Sequence, residues 1–126
     1  MEKKLITIDK NISHSKVIGT SLTGYMNLTY DEIVSIFGKP NSKGDQYKVD
    51  WEWEFTLNDT PITIYNYKTG PSYGFKKVKA KDIEDWHIGS KYSYDLKILE
   101  DYIKQEYPQY IGRTLTRTEY DKTSSN

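Results

Sequence analysis

The chain has 126 residues, a formal net charge of zero from 18 basic and 18 acidic residues, and no cysteine. This length predicts one domain that buries a core without crosslinks, and the absence of thiols excludes a disulfide framework, a thiolate metal site and a cysteine nucleophile. The balanced charge lacks the basic bias of a typical nucleic-acid binder and the acidic bias of a DNA mimic.

The N-terminal part of the chain predicts two short strands and a loop. Residues 5–8 predict an edge strand or an N-terminal arm, residues 16–21 predict a second strand, and residues 22–27 predict a loop. The chain starts without the apolar core of a signal peptide, and no run approaches the ~18 apolar residues that span a bilayer. We therefore expect a soluble, cytoplasmic protein that does not enter a membrane.

The clearest helix signal follows this loop. Thr29 lies three residues before Glu32, which is the spacing of a capping box. Gly38 and Pro40 then form a stop signal, because glycine caps helix ends and proline cannot continue a helix. Residues 30–37 are therefore predicted to form a helix of two turns.

Residues 47–58 alternate apolar and polar side chains at every position, which is typical of a strand with one buried face. The apolar set is predicted to face the core: Tyr47, Val49, Trp51, Trp53, Phe55 and Leu57. The other face carries three carboxylates: Asp50, Glu52 and Glu54. We interpret this polar face first as a solvated surface paired with lysines. An acidic docking patch, or a catalytic or metal-binding group of carboxylates, is the alternative.

The second half of the chain continues with elements of both kinds: a turn at 58–61, strands at 62–68, 75–79 and 86–89, and a helix from a cap at Ser93 to residue 106, before Pro108. The sequence thus predicts an α+β fold, a twisted, mainly antiparallel sheet of four to five strands with two helices packed on one face. Residues 1–108 are expected to form a single domain and residues 109–126 a polar C-terminal tail, disordered from residue 121.

A predicted hairpin at residues 65–81 combines aromatic rings with lysines and contains no acid. Its candidate binding residues are Tyr65, Tyr67, Lys68, Tyr73, Lys76 and Lys77. Rings that stack on bases, beside ammonium groups that contact phosphates, suit a nucleotide. Lysines that protect a sheet edge against aggregation explain the same pattern, so both interpretations stay open.

Two further segments carry candidate site residues. The loop at residues 19–25 is rich in hydroxyls and contains Thr20, Ser21 and Tyr25; such loops can present N–H groups to an anion, although most are ordinary turns. His87 lies near a predicted strand end, where we favour a structural role over a functional one, and His14 is interpreted as a surface residue. No activated nucleophile, metal set or acid–base pair stands out, so we predict no catalytic residue, metal or cofactor.

Several short motifs between residues 19 and 89 resemble, as a set, a family of small phage and prophage accessory proteins of unassigned activity. The motifs are Gly-Thr-Ser-Leu at 19–22, Phe-Gly-x-Pro at 37–40, Tyr-Lys-x-Asp at 47–50, Ile-Tyr-Asn-Tyr-Lys at 64–68 and Trp-His-Ile-Gly at 86–89. Small phage accessory proteins often bind and disable a host defence component, as anti-CRISPR proteins and sponges for signalling nucleotides do. The resemblance therefore implies a stoichiometric binder rather than an enzyme.

We thus expect a non-enzymatic, anti-CRISPR-like counter-defence inhibitor that binds a bacterial defence protein in the host cytoplasm. Its expected contacts are the Tyr-rich hairpin and the acidic strand face with Glu52 and Glu54. The alternative is a small-ligand binder that holds a nucleotide or signalling molecule between Tyr65, Tyr67, Lys68 and the loop at 19–25, with His87 beside it. Self-association is left open.

Overall fold

The computed structural model describes residues 5–43, 48–83 and 86–110 in full and the backbone of Leu115–Arg117. Within these residues there are six strands and two α-helices: β1 (Ile8–Asp9), β2 (Ser21–Met26), α1 (Tyr30–Phe37), β3 (Glu52–Leu57), β4 (Thr60–Tyr65), β5 (Trp86–Ser90), α2 (Leu96–Glu106) and β6 (Leu115–Arg117). The strands form one antiparallel sheet in the order β1-β3-β4-β5-β2-β6. The predicted α+β fold, with an antiparallel sheet and two helices, is confirmed. The edge strand predicted at residues 5–8 is found as β1, which begins only at Ile8, and β6 brings the sheet to six strands, one more than the highest number predicted.

One face of the sheet and both helices enclose the hydrophobic core. In the centre, Trp53 of β3 packs edge-on against Trp86 of β5, with 5.3 Å between ring centroids, and its Nε1 donates a hydrogen bond to the Gly38 carbonyl at 2.7 Å. Buried side chains from the helices complete this core: Ile33, Ile36 and Phe37 of α1, and Leu96, Leu99, Tyr102 and Ile103 of α2. The predicted burial of Trp53 is therefore confirmed, whereas Trp51 is half-buried at the edge of the same core.

Helix α1 has the predicted boundaries because both of its ends are determined locally. The Thr29 hydroxyl accepts a hydrogen bond from the Glu32 amide at 3.2 Å, and the Glu32 carboxylate accepts one from the Thr29 amide at 2.9 Å. These two bonds satisfy amide groups that a helix N-terminus otherwise leaves without partners. At the other end Gly38 adopts a φ of 81°, which favours glycine and stops the helix.

Strands β3 and β4 form a hairpin closed by the two residues Asn58 and Asp59. Their φ angles are 47° and 67°. Two-residue hairpin turns of type I′ need positive φ at both positions, and Asn and Asp tolerate this conformation better than most residues. The predicted reversal at residues 58–61 is therefore confirmed in its tightest form, with Leu57 paired to Thr60.

The predicted strand at 47–58 is shortened at its start, because the Asn66 side chain takes the amides of residues 50 and 51 and only single backbone bonds, from Lys68 to Lys48 and from Asn66 to Trp51, join this stretch to the chain beyond β4. The Oδ1 atom of the buried Asn66 accepts hydrogen bonds from the amides of Asp50 at 2.8 Å and Trp51 at 3.0 Å. The Asn66 Nδ2 atom also donates to the Asp50 carboxylate at 3.3 Å. The chain enters regular pairing only at Glu52, and the part of the prediction that covers residue 47 lies outside the described residues.

The strand and loop predicted near the N-terminus were both wrong. The first two residues of the predicted strand at 16–21 belong to a 3-10 turn, His14–Val17, and the predicted loop at 22–27 belongs to β2 as far as Met26. The register between β2 and β5 shifts between Leu22 and Gly24. A bulge of this kind breaks the alternation by which a strand is recognised.

The predicted hairpin at 65–81 is also wrong in form. Beyond β4 the chain makes 3-10 turns at Pro71–Tyr73 and Ala80–Asp82, and no strand occupies 75–79. Pro71 starts the first turn, and Gly74 ends it with a φ of 112°, a combination that reverses the chain instead of extending it.

The C-terminal residues described here contribute to the sheet. Leu115–Arg117 pairs with β2 as an edge strand inside the segment predicted to be a polar tail, and the predicted disorder of residues 121–126 lies outside the described residues. Neither α1 nor α2, the helices of the described chain, has the length and apolar character to cross a bilayer.

Candidate functional site

The face of the sheet opposite the helices, called the outward face below, is partly covered by the N-terminal segment. The 3-10 turn His14–Val17 lies against β3 and β4, and Val17 is buried there. Glu54 and Thr56 of β3 are buried beneath this cover, at 8% and 5% exposure. The predicted solvated face is therefore wrong for these two residues, whereas Glu52 is half-buried and borders open solvent. Alternation shows which side chains share a face but not what covers that face.

The buried Glu54 carboxylate is bound by His14, a residue that the sequence suggested was plain surface. His14 Nδ1 lies 2.7 Å from Glu54 Oε2, with 72% of the histidine side chain exposed and 10% of the glutamate side chain. The Asn41 side chain binds the Glu54 backbone as a neighbouring strand would, through its Oδ1 and Nδ2 atoms, both at 2.7 Å. Glu54 thus anchors the cover on the outward face and is not an open docking contact.

Four predicted site residues from separate parts of the sequence form one row across the outward face. They stand opposite one another in the register of four neighbouring strands: Glu52 on β3, Tyr65 on β4, His87 on β5 and Tyr25 on β2. Directly opposed residues of antiparallel strands share a face, with their Cβ atoms about 5 Å apart. The sheet therefore brings a carboxylate, two phenols and an imidazole into contact range.

The rings of this row, with Tyr67, form an aromatic cluster with His87 at its centre. The His87 ring centroid lies 5.1 Å from that of Tyr25, 5.6 Å from that of Tyr65 and 5.5 Å from that of Tyr67. Tyr25 and Tyr65 meet the imidazole edge-on and Tyr67 stacks on it. Tyr67 is 36% exposed, so the cluster is packed on one side and open to solvent on the other. We use the name aromatic cluster for these four residues below.

The predicted lysines are divided between two places. Lys68 Nζ lies 5.3 Å from the Tyr67 ring centroid and 5.8 Å from that of Tyr73, so this ammonium group bridges two tyrosine faces next to the cluster. Lys76 and Lys77 are exposed on the irregular segment between the two 3-10 turns. The sequence analysis therefore predicted one combined site. In the structure, Lys68 lies next to the aromatic cluster, and Lys76 and Lys77 belong to a separate basic segment.

A cleft of about 410 Å³ opens on the outward face beside the aromatic cluster. Its described lining residues come from five parts of the chain: His14, Thr20, Ser21, Ser42, Val49, Glu52, Thr63 and Tyr65. Gly89 makes room next to it, because a Cβ atom at that position would collide with the Thr63 hydroxyl and lie 3.5 Å from Tyr65 Cε1. Four of the predicted site residues thus meet in one concave space, and Tyr65 belongs to both the cleft and the aromatic cluster.

The electrostatics of the cleft keep its phenol protonated. Burial raises the pKa of Tyr65 to about 12, and the negative charge of Glu52 contributes to the same shift. Tyr65 can therefore donate a hydrogen bond at any physiological pH, next to a carboxylate that can only accept. Over the part of the chain that the structure describes, no group of three or more His, Asp or Glu side chains is arranged to hold a metal ion.

Several residues of this site carried no recognisable signal in the sequence. Thr63, Ser42 and His14 enter the cleft only because of strand register and chain crossing, which local pattern does not encode. Asn41 had a weak signal, as an amide next to a helix stop, but its pairing with the Glu54 backbone depends on tertiary contact.

The structure thus gathers Tyr25, Tyr65, Tyr67 and His87 into one cluster and joins it through Tyr65 to a polar cleft with Glu52. Comparisons of this chain with protein-family models, with curated proteins and with solved structures found no match.

Proposed function

We propose that the protein is a non-enzymatic inhibitor that acts by stoichiometric binding to a bacterial defence protein in the host cytoplasm, with the outward face around the aromatic cluster as its contact surface. The observation that carries this proposal is the aromatic cluster itself. Its rings come from three strands and the start of a loop, and they are packed against one another before any partner arrives. The resemblance to phage accessory proteins supports the biological setting.

The physical support for this proposal is the small amount of side-chain entropy that such a surface loses when a partner binds. Interfaces concentrate their binding energy in a few aromatic and arginine side chains, and Tyr contributes a large contact area with little rotamer entropy to lose. Side chains already held in place lose still less on binding. Tyr67 is held by His87 at 5.5 Å, by Tyr65 at 6.5 Å and by the Lys68 ammonium, yet it remains open to a partner.

The chemistry of Tyr65 also favours binding over catalysis. Because its pKa is raised to about 12, its phenolate is poorly populated, and the group is unsuited to act as a base or nucleophile near neutral pH. The protonated phenol instead provides a fixed hydrogen-bond donor beside the Glu52 carboxylate.

Tyr67→Ala tests this proposal. We expect the variant to keep its fold, since Tyr67 lies outside the strands and is partly exposed, and to lose about 2 kcal/mol or more of binding free energy, roughly a 30-fold weaker Kd. Wild-type protein would be used to capture a partner from defence-carrying bacteria, and the affinity of the purified partner would then be measured for each variant.

The matched control is Tyr94→Ala, a tyrosine that is 66% exposed on the turn before α2. It should bind as the wild type does. Equal affinities for the wild type and a folded Tyr67→Ala protein would remove the aromatic cluster from the proposed interface, and circular dichroism provides the folding check.

A second candidate function, the binding of a small molecule, is favoured by the cleft. Its volume of about 410 Å³ falls within the roughly 300–1,000 Å³ typical of ligand pockets. Thr20, Ser21 and Tyr65, three residues predicted for a ligand site, line it. The lysines predicted to contact a nucleotide phosphate are not among the described lining residues, so a nucleotide would have to enter with its base or sugar.

A further inference from the structure

Two carboxylates lie at the cleft, and His14, which is paired with one of them, is the one basic side chain among its described lining residues. Glu52 lines the cleft directly, and the Glu54 carboxylate lies behind His14 at 2.7 Å. No described lining side chain is a lysine or an arginine. Apart from Glu52 and the His14 imidazole, the polar groups of the described lining are hydroxyls, which carry no charge: Thr20, Ser21, Ser42, Thr63 and Tyr65.

The Glu52 charge acts on the interior of the cleft and not only on the surrounding water. Glu52 stands directly opposite Tyr65 in the β3–β4 register, and its charge helps to raise the pKa of the Tyr65 phenol. Tyr65 therefore already senses a negative potential at this wall. In a partly enclosed site this potential is screened less than on an open surface, so it attracts cations and repels anions.

The other groups of the cleft complement a nitrogen cation in geometry as well as in charge. An ammonium group offers three N–H donors and a guanidinium group five, and neither accepts a hydrogen bond. The Thr and Ser hydroxyls and the Glu52 carboxylate supply acceptors from several sides. The Tyr65 ring adds an aromatic wall, which a cation can approach favourably.

We propose that this cleft is a binding site for a small organic cation, an alkylammonium or alkylguanidinium compound, with Glu52 as its counter-charge. The hydroxyls of Thr20, Ser21 and Thr63 accept hydrogen bonds from the cation, and the Tyr65 ring packs against its alkyl part. This inference rests on the second candidate function above, because it names the chemical class of ligand for the same cleft. It does not depend on the proposed protein partner.

The test uses two probes of the same shape that differ in charge. Butylguanidinium is a cation, and butylurea replaces the charged group by a neutral one; inorganic phosphate and AMP serve as anions. Binding to the full-length protein would be followed by ¹H–¹⁵N NMR, which locates the affected residues, and by calorimetry. We expect butylguanidinium to shift the resonances of Thr20, Ser21 and Thr63, and to bind at least about tenfold more tightly than butylurea. Phosphate and AMP should leave the cleft resonances unchanged.

Two cleft variants and one control variant test whether charge determines the binding of butylguanidinium. Glu52→Gln should weaken butylguanidinium binding by about tenfold or more, because it removes a charge-assisted contact at nearly constant shape. Ser21→Lys, at an exposed position at the start of β2, should abolish it by placing a cation in the cleft. Glu100→Gln, whose carboxylate pairs with Lys104 on α2, should bind as the wild type does.

A second readout follows the phenol itself. Bound butylguanidinium offsets the Glu52 charge, so the pKa of Tyr65, followed by ¹³Cζ NMR, should fall when the probe binds, and it should also fall in Glu52→Gln. A ligand that merely occupies space and excludes water would raise this pKa instead.

The possible failures can be separated. If butylurea, phosphate or AMP occupies the cleft as well as butylguanidinium does, or if Glu52→Gln binds it unchanged, the assignment of a cation is wrong while a small-ligand function stands. If none of the four probes shifts the cleft resonances, both the cation site and the small-ligand function are overturned, and the protein-binding proposal is unaffected.

Discussion

Two asparagine side chains supplement sparse backbone pairing at the start and along the edge of β3. Asn66 accepts hydrogen bonds from two successive amides at residues 50 and 51, and Asn41 both donates to and accepts from the Glu54 backbone. An amide side chain can do this because it carries the same donor and acceptor as the peptide group. These side-chain bonds supplement a few backbone bonds, among them the Ser42–Glu52 bridge, where no regular strand lies.

Asn66→Ala should show how much one of these replacements stabilises the fold. Asn66 is fully buried, and its loss would leave the amides of Asp50 and Trp51 without their acceptor. Since each unsatisfied buried donor costs about 1–3 kcal/mol, we expect the free energy of unfolding, measured by urea denaturation, to fall by about 2–4 kcal/mol. Asn27→Ala, at an exposed position, should change it by less than about 0.5 kcal/mol. Equal effects of the two substitutions would contradict this role.

Tyr65 links the stability of the protein to alkaline pH. Its pKa is raised from 10.0 to about 12 by burial and by Glu52. A group whose pKa is higher in the folded state stabilises the protein fully below the unfolded pKa and loses this contribution as pH rises through the folded pKa. Wild-type stability should therefore fall between about pH 10 and pH 12, and part of this fall should be absent in Tyr65→Phe.

Chemical denaturation of the two proteins at pH 9, 10, 11 and 12 measures this difference directly. All other tyrosines are present in both proteins, so the difference between the two curves is assigned to Tyr65. Parallel curves across this range would show that the phenol has the same pKa in the folded and unfolded states.

At the scale of elements, β3 owes its position to its inward face. Trp53 is 1% exposed, contacts Trp86 and donates to the Gly38 carbonyl, whereas Trp51 is half-buried before the strand begins. The same residue type, two positions apart, therefore has very different surroundings.

Trp53→Ala should destabilise the protein by about 3–5 kcal/mol, because it removes a large buried side chain and leaves a cavity. Trp51→Ala should cost clearly less, since this ring already contacts water. Thermal and urea unfolding of both variants would compare them. A larger loss for Trp51→Ala would mean that Trp53 is not the centre of the core.

The sequence predicted those elements whose signals are local. Helix α1 was located to the residue because its cap, Thr29 with Glu32, and its stop, Gly38, lie within ten positions of one another. Strand β2 was missed because a bulge breaks its alternation and its partner β5 lies far along the chain. The mixture of aromatic and lysine residues after β4 suggested a hairpin where Pro71 and Gly74 turn the chain.

Most residues of the candidate site could be predicted from the sequence, but their arrangement in space could not. Glu52, Tyr65, His87 and Tyr25 could each be named, yet their common row depends on the registers of three strand pairs. The cover over Glu54 depends on where residues 14–17 cross the sheet. Both are tertiary properties, which the pattern of one segment does not contain.

At the scale of the whole molecule, the two sheet faces are unequally covered. Helices α1 and α2 close the inward face, while on the outward face the turn His14–Val17 lies over β3 and β4 and the aromatic cluster extends from β4 to β2. The cleft lies at the boundary between cover and cluster. A carboxylate-lined cleft and a lysine-rich segment at 76–81 thus coexist in a chain of zero net charge, so the balance of the composition conceals two regions of opposite sign.

The order of the strands in the sheet also determines when they can pair during synthesis on the ribosome. Strand β2 leaves the ribosome early, but it pairs only with β5 and β6 among the described strands, and both are translated much later. The β3–β4 hairpin can close in the meantime, since its two strands are adjacent in the chain. A nascent chain that ends before Trp86 therefore exposes the unpaired edge of β2, the kind of surface that associates with other chains or recruits chaperones. Tyr25 meets His87 only when β5 has emerged, so the proposed binding surface is one of the last parts of the protein to assemble during synthesis.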